Sequence, residues 1–256
     1  MTDEQAVLTE RRERILVIRL NRPEQRNAVN AAVAAGIAAA LDLLDGDEAL
    51  SLGVLTGEGK GFCAGMDLKA FVAGESPHVG DRGFAGITRR ASMKPLIAAI
   101  EGFAVAGGLE VALACDLIVA ARGAKLGIPE VKRSLVAAGG ALLRLPRAIP
   151  RGIAMELALT GDPISAERAH ELGLVNRLAE PGHALETALE LANAIAVNGP
   201  LALAATKRIM AESIDWPEHE FFERQAEIAG PVMSSEDARE GARAFAEKRP
   251  PHWRGR

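Results

Sequence analysis

Tyrosine is absent from this 256-residue chain, and phenylalanine and tryptophan together supply only 4% of it. Platforms on which the bases of single-stranded nucleic acid stack are hard to build from so few rings. Cysteine is scarce too: Cys63 and Cys115 stand far apart, with no second thiol near either. That argues against a disulfide framework or a thiolate metal site and fits a reducing compartment. The five histidines, His78, His170, His183, His219 and His252, are isolated and read as solvent-facing. No HExxH, CxxC or phosphate-loop motif occurs, and no two histidines stand at metal-ligand spacing. No apolar run approaches the roughly 20 residues that a membrane helix needs. The opening MTDEQAVLTERRER, acidic then basic, does not read as a secretory or transit signal. The expectation is a soluble, cytoplasmic protein with no membrane partner. Net charge is −4, and Lys and Arg are scattered, so no overall field favours nucleic acid. The basic clusters around Arg11 to Arg14, Lys132-Arg133 and Lys248-Arg249 read as solvated faces.

What the chain does have is apolar residues, 48% of the total, enough for a sizeable core. Residues 14–20 (RILVIRL), 52–56, 96–100 (LIAAI) and 116–121 (DLIVAA) read as strands. Each is a continuous apolar run rather than an alternating one. That is the mark of strands buried on both faces, as in parallel sheets with helical crossovers. Asn30 is placed to cap a helix over 31–44, where Val33, Ile37, Leu41 and Leu44 recur with a period near 3.6. After Gly139 helical patterns dominate: 165–172, 183–198, 201–214 and 218–229, with one short strand at 175–178 and breaks at Gly199-Pro200 and Trp216-Pro217. The α/β class follows, with a core over 1–195 and a helical part over 196–256. Residues 73–87, rich in glycine and charge, read as a mobile loop.

Two stretches carry candidate chemistry. In Gly102 to Glu130, the pair Gly107-Gly108 stands just ahead of Glu110, and Glu130 follows a proline twenty positions later. Glycines allow a tight strand-to-helix turn, and the first amides of the helix that follows lack internal partners. Such amides can donate to a developing oxyanion, helped by the helix dipole. Taken alone, the glycines could serve packing only, Glu110 could merely complement the dipole, and Glu130 could be a surface loop acid. The second stretch, Gly61 to Leu68 (GFCAGMDL), precedes a short helical piece over 67–72. Gly65 there could turn the Met66 amide outward as a second donor. Cys63 has no histidine partner and reads as a small buried filler rather than a nucleophile.

In their order and spacing, FCAGMDL, IEGFAVAGGLEVALACDLIVA, the IPE of 128–130 and FAEKRPPHW resemble the crotonase (enoyl-CoA hydratase/isomerase) superfamily. NRPEQRNAVN near the start is similar to that family's first crossover. The resemblance implies a spiral of ββα units with two roughly perpendicular sheets. It also implies a helical C-terminal part used for trimer assembly, with trimers often pairing into hexamers. It implies acyl-coenzyme A thioesters as substrates, the coenzyme being part of the substrate, with no separate cofactor and no metal. Its oxyanion hole corresponds to the Met66 and Gly107 amides, and its two acids to Glu110 and Glu130. Members with both glutamates are typically hydratases, whereas isomerases commonly keep only the acid matching Glu130. Ala64, Asp67, Leu68, Lys69, Gly108 and Lys248 match positions that contact substrate, with Lys69 and Lys248 directed at the coenzyme phosphates. The chain departs from the family in Val136-Ala137-Ala138-Gly139-Gly140, where many hydratases carry P-G-x-G-G, and at Leu109, where relatives often have a small residue or cysteine. In similar proteins the first residues of the P-G-x-G-G turn line the acyl pocket, and the region matching the loop 73–87 shapes it.

Overall fold

The computed structural model describes residues 5–256. Two strands open it as an antiparallel hairpin, β1 (Val7–Arg12) and β2 (Ile15–Leu20). The helix α1 (Ala31–Gly46) follows, with the Asn30 side chain accepting from the Val33 amide at 3.0 Å. Next come β3 (Leu52–Gly57), the short α2 (Leu68–Val72) and a two-residue hairpin, β4 (His78–Val79) with β5 (Gly83–Phe84). The middle of the chain holds β6 (Leu96–Ile100), β7 (Phe103–Val105), α3 (Gly107–Leu113), β8 (Leu117–Ala121) and β9 (Lys125–Gly127). A 3-10 turn over Pro129–Arg133 leads to α4 (Ala141–Ala148), α5 (Arg151–Thr160), β10 (Ile164–Ser165), α6 (Ala166–Glu171) and β11 (Arg177–Ala179). The chain ends in helices α7 (Ala184–Ala196), α8 (Pro200–Glu212), α9 (Phe221–Met233) and α10 (Glu236–Glu247).

The main sheet runs β1-β2-β3-β6-β8-β11, parallel from β2 onward. A smaller sheet, β10-β9-β7, holds the second strand of successive ββα turns. β6 feeds β7 and then α3; β8 feeds β9 and then α4 and α5. In the two earlier turns the second strand shrinks to single bridges, Cys63 to Ala104 and Val29 to Met66. These bridges extend the small sheet toward α1 and α2. The result is the crotonase spiral.

Why the strand sequences run apolar without alternation is now visible. One face of the main sheet, with Ile18, Leu55, Ala98 and Ala120, packs against α1 and α3. The other face, with Ile15, Val54, Ile97 and Val119, meets α7. That helix offers Ala184, Ala188, Ala192 and Ala196, a stripe of small residues at i, i+4 spacing that lets it lie close to the strands. Both faces therefore exclude water.

Three readings change. β1 was not expected: only its first residue is buried, and Thr9 to Arg12 are polar, as befits an edge strand guarded by charge. The segment 73–87 is not a mobile loop throughout. Arg82, Phe84, Ala85 and Ile87 are buried, and Arg82 pairs with Asp42 of α1. The charge that made the segment look solvated is thus partly spent inside. Finally, α9 continues through Pro231 to Met233.

Candidate active site

Two loops meet at the edge of the small sheet. The Val29–Met66 bridge uses the Gly65 carbonyl, which accepts from Val29 at 2.8 Å, and the Asp67 amide, which donates to Val29 O at 2.9 Å. The Met66 amide between them points away from the bridge and has no protein acceptor among the described residues. The Gly107 amide opens α3 and likewise donates to no described group. Gly65 sits at φ +93°, and a Cβ built on it would fall 2.9 Å from the Gly107 nitrogen. Only glycine lets the two donors come this close. Cys63 is fully buried beneath them, its thiol pushed up to about 12 by burial, which suits a filler and not a nucleophile.

A cavity of about 530 Å³ opens in front of these amides. Ala64, Met66, Leu68, Gly107, Glu110 and Glu130 all line it, so six of the residues named from sequence share one wall. Asp67, Lys69, Gly108 and Lys248 do not. Asp67 caps α2, accepting from the Lys69 and Ala70 amides at 3.2 Å, and pairs with Arg22 at 3.0 Å. Lys69 is exposed on α2. Gly108 is buried with no room for a Cβ beside the Cys63 carbonyl. Lys248 ends α10 in the left-handed conformation, exposed. Leu109 is core.

The two carboxylates differ in their surroundings. Glu110 is buried, and its Oε1 accepts from the Ala141 amide at 3.1 Å. Burial raises its pKa, while the Ala141, Gly139 and Gly140 amides and the Arg144 charge pull the other way. Glu130 also has a raised pKa: burial is the main cause and the Glu110 charge adds to it, while its own backbone amide and the Arg133 charge pull the other way. Its Oε2 is buried without any hydrogen-bond partner. Donors aimed at a carboxylate favour the anion; a dry, unpartnered oxygen favours the acid. Both carboxyls are thus raised by burial, with the backbone donors of the 139–141 turn offsetting this at Glu110.

Arg26 and Phe84, which carried no functional signal in the sequence, also line the cavity, as do His78 and Arg133, expected only as solvent-facing groups. The His78 ring stands edge-on to Phe84, centroids 5.8 Å apart. The glycine-rich run around them hid a wall built by the β4–β5 hairpin. The Gly139-Gly140 pair was the visible sign that something passes close to Glu110. A Cβ on Gly139 would fall 2.5 Å from Glu110 Oε2.

The Enoyl-CoA hydratase/isomerase family model matches residues 10–256. The chain belongs to this family. It is 44% identical to Enoyl-CoA hydratase EchA19 of Mycobacterium tuberculosis, over 97% of this chain and 96% of that protein. Carnitinyl-CoA dehydratase of Salmonella typhi is 42% identical over 94% of this chain and 95% of its own. Among solved structures, an enoyl-CoA hydratase from M. tuberculosis H37Rv superposes with a TM-score of 0.97 at 62% identity, covering 99% of this chain and all of that one. A carnitinyl-CoA hydratase from Mycobacterium avium gives 0.79 at 42% identity, covering 99% and 100%. No single helix among the described residues is long and apolar enough to cross a membrane.

Proposed function

We propose that the protein is an enoyl-CoA hydratase, adding water across the 2,3 double bond of a trans-2-enoyl-CoA thioester in fatty acid or related acyl-CoA degradation. The observation that carries this reading is the convergence of Glu110, Glu130 and the free Met66 and Gly107 amides on one cavity. The thioester oxygen would sit between the two amides, which stabilise the charge that grows on it as C3 is attacked. Glu110, whose charged form the backbone donors of the 139–141 turn favour against burial, takes a proton from water as the water oxygen bonds to C3. Glu130 gives its proton to C2. Ala64 and Leu68 border the acyl group, and Lys69, beside Leu68 on α2, is assigned to the coenzyme phosphates. Lys248 keeps the same assignment from sequence likeness alone. No cofactor beyond the substrate's own coenzyme A enters the scheme.

The test is a panel of enoyl thioesters followed by loss of the conjugated absorbance, with wild type, Glu110→Gln and Glu130→Gln. Each substitution is expected to lower turnover by roughly 10²–10⁴-fold. Unchanged hydration in both variants would overturn the two-acid scheme. Loss in the Glu130 variant alone, with 3-enoyl thioesters converted, would make the protein an isomerase.

Likeness to carnitinyl-CoA dehydratases across nearly the whole chain supports a second reading. In it the same groups run in reverse, dehydrating a 3-hydroxyacyl-CoA with a polar C4 substituent. Carnitinyl-CoA therefore belongs in the panel.

We also propose assembly as a homotrimer or a dimer of trimers. No residue of α8 or α9 is buried in the single chain, while Met210, Ile214 and Phe222 are exposed on and beside them. A location in the cytoplasm completes the reading.

A further inference from the structure

Arg144 is a half-buried cation without a carboxylate partner. Among the described residues it makes no ion pair. Its Nη2 instead donates to the Thr88 carbonyl at 2.6 Å, and its Nη1 to the Gly139 carbonyl at 3.4 Å. A guanidinium out of water needs compensation beyond two carbonyls, so its surroundings should hold a negative charge. The carboxylate whose charge acts on it is Glu110, across more than ion-pair distance. A side chain on Gly140 would collide with Nη1, so the guanidinium runs directly under the Gly139-Gly140 turn. Ala141, at the far end of the turn, donates to Glu110 Oε1.

The other anchor leads to the oxyanion amides. The Thr88 amide donates to the Phe84 carbonyl at 3.2 Å, and the Phe84 ring lies against Gly107, where a Cβ would come within 2.6 Å of it. One side chain thus ties the turn that holds Glu110 to the segment that backs the Gly107 amide.

We propose that Arg144 is a positioning residue for hydration, fixing the 139–141 turn against Glu110 and serving as the counter-charge that keeps Glu110 ready as the base. This rests on reading Glu110 as the base. The charged groups around Glu110 are consistent with it. The Glu110 charge opposes ionisation of Glu130 on the 129–133 turn; Arg133 acts on Glu130; Arg144 from α4 is the cation that acts on Glu110 itself. Cys115, at the end of α3, is the remaining titratable group near the guanidinium.

Three variants separate position from charge. Arg144→Lys keeps the cation, Arg144→Gln keeps donors to the carbonyls without charge, and Arg144→Met keeps neither. The first readout is the carboxyl titration of Glu110 in ligand-free protein, by carbon-13 NMR of glutamate-labelled samples, assigned with Glu110→Gln. The midpoint should rise in Arg144→Gln and stay near wild type in Arg144→Lys. The second is the pH profile of enoyl-CoA hydration. Its acid limb should move to higher pH in Gln and Met but not in Lys, with kcat at neutral pH down roughly tenfold to a hundredfold and KM little changed. A Glu110 midpoint that is the same in Lys and Gln, or a loss of equal factor at every pH in both, would overturn the proposal. The Lys and Gln pair decides it if the Met variant does not fold. A wild type with no hydratase activity would overturn the proposed function instead, and the NMR titration would still decide whether Arg144 governs Glu110.

Discussion

Glu130 holds its Oε2 in a buried position without a donor, a poor place for a charge and a good one for a proton. Its raised pKa has a consequence for stability. The folded state binds this proton more tightly than the unfolded chain, so stability falls as pH rises from the ordinary value of 4.5 through the higher folded value. Glu130→Gln removes that titration. The variant should melt close to wild type near pH 4.5 and progressively above it toward pH 8, in thermal denaturation followed by circular dichroism. A gap that does not widen with pH would show that the carboxyl is not strained by ionisation. Gly65 makes the opposite trade. In Gly65→Ala the new Cβ must push the Gly107 nitrogen away from 2.9 Å and adopt a positive φ that alanine disfavours. Turnover of crotonyl-CoA should drop by roughly 10²–10³-fold, the usual cost of losing one oxyanion donor. A Gly65→Ala protein with normal kcat would mean that the two amides do not act together.

At the scale of elements, α2 is short enough for its cap to matter. Asp67 accepts two amides of the first turn and pairs with Arg22, and the helix carries Leu68 and Phe71 into the cavity wall. Asp67→Ala should cost about 1 kcal/mol, read as a lower denaturant midpoint, and should raise KM for the enoyl thioester more than it lowers kcat. Asp67→Asn, which keeps the capping oxygen, should restore most of both. If Ala and Asn behave alike, the side chain acts through charge and not through the cap. The elements most legible in the sequence were those with one strong signal, an unbroken apolar run or a capped helical period. Ile15–Leu20, Leu52–Gly57 and Leu96–Ile100 announced themselves as doubly buried strands, and Asn30 marked the start of α1. The strands β7, β9 and β10 span only two or three residues each, too few for any period to show. The β4–β5 hairpin was masked because Gly80 and Gly83 take positive φ inside a charged run, although Arg82 beside them is buried. Arg144, set among leucines, carried no local sign that its guanidinium turns inward. Only the bare Gly139-Gly140 pair hinted at crowding there.

The whole molecule raises a question that its core does not answer. α8 and α9 bury no residue within the chain, yet their neighbourhood shows Met210, Ile214, Phe222 and Met233, and α10 adds Phe245, 88% exposed. Burying one such side chain is worth about 1.5–3 kcal/mol. A surface that leaves a group of them in water is a surface waiting for a partner. Lys207 ties α8 to the core through Asp116 and the Lys94 carbonyl, and the proposed second and third copies of the chain would cover the apolar side chains that this docking leaves in water. Sedimentation velocity at micromolar concentration should therefore show a species of three, or six, times 26.9 kDa. Phe222→Glu, placing a charge at the centre of the apolar face, should shift the protein to slower species while its far-ultraviolet dichroism stays unchanged. The core helix α7 lies on the other side of the Gly199-Pro200 break and packs on the sheet within one chain, so Ala188→Leu should instead destabilise the fold without first changing the sedimenting mass. A wild type that sediments as a single chain would remove the assembly reading and leave the apolar face of α8 and α9 to some other ligand.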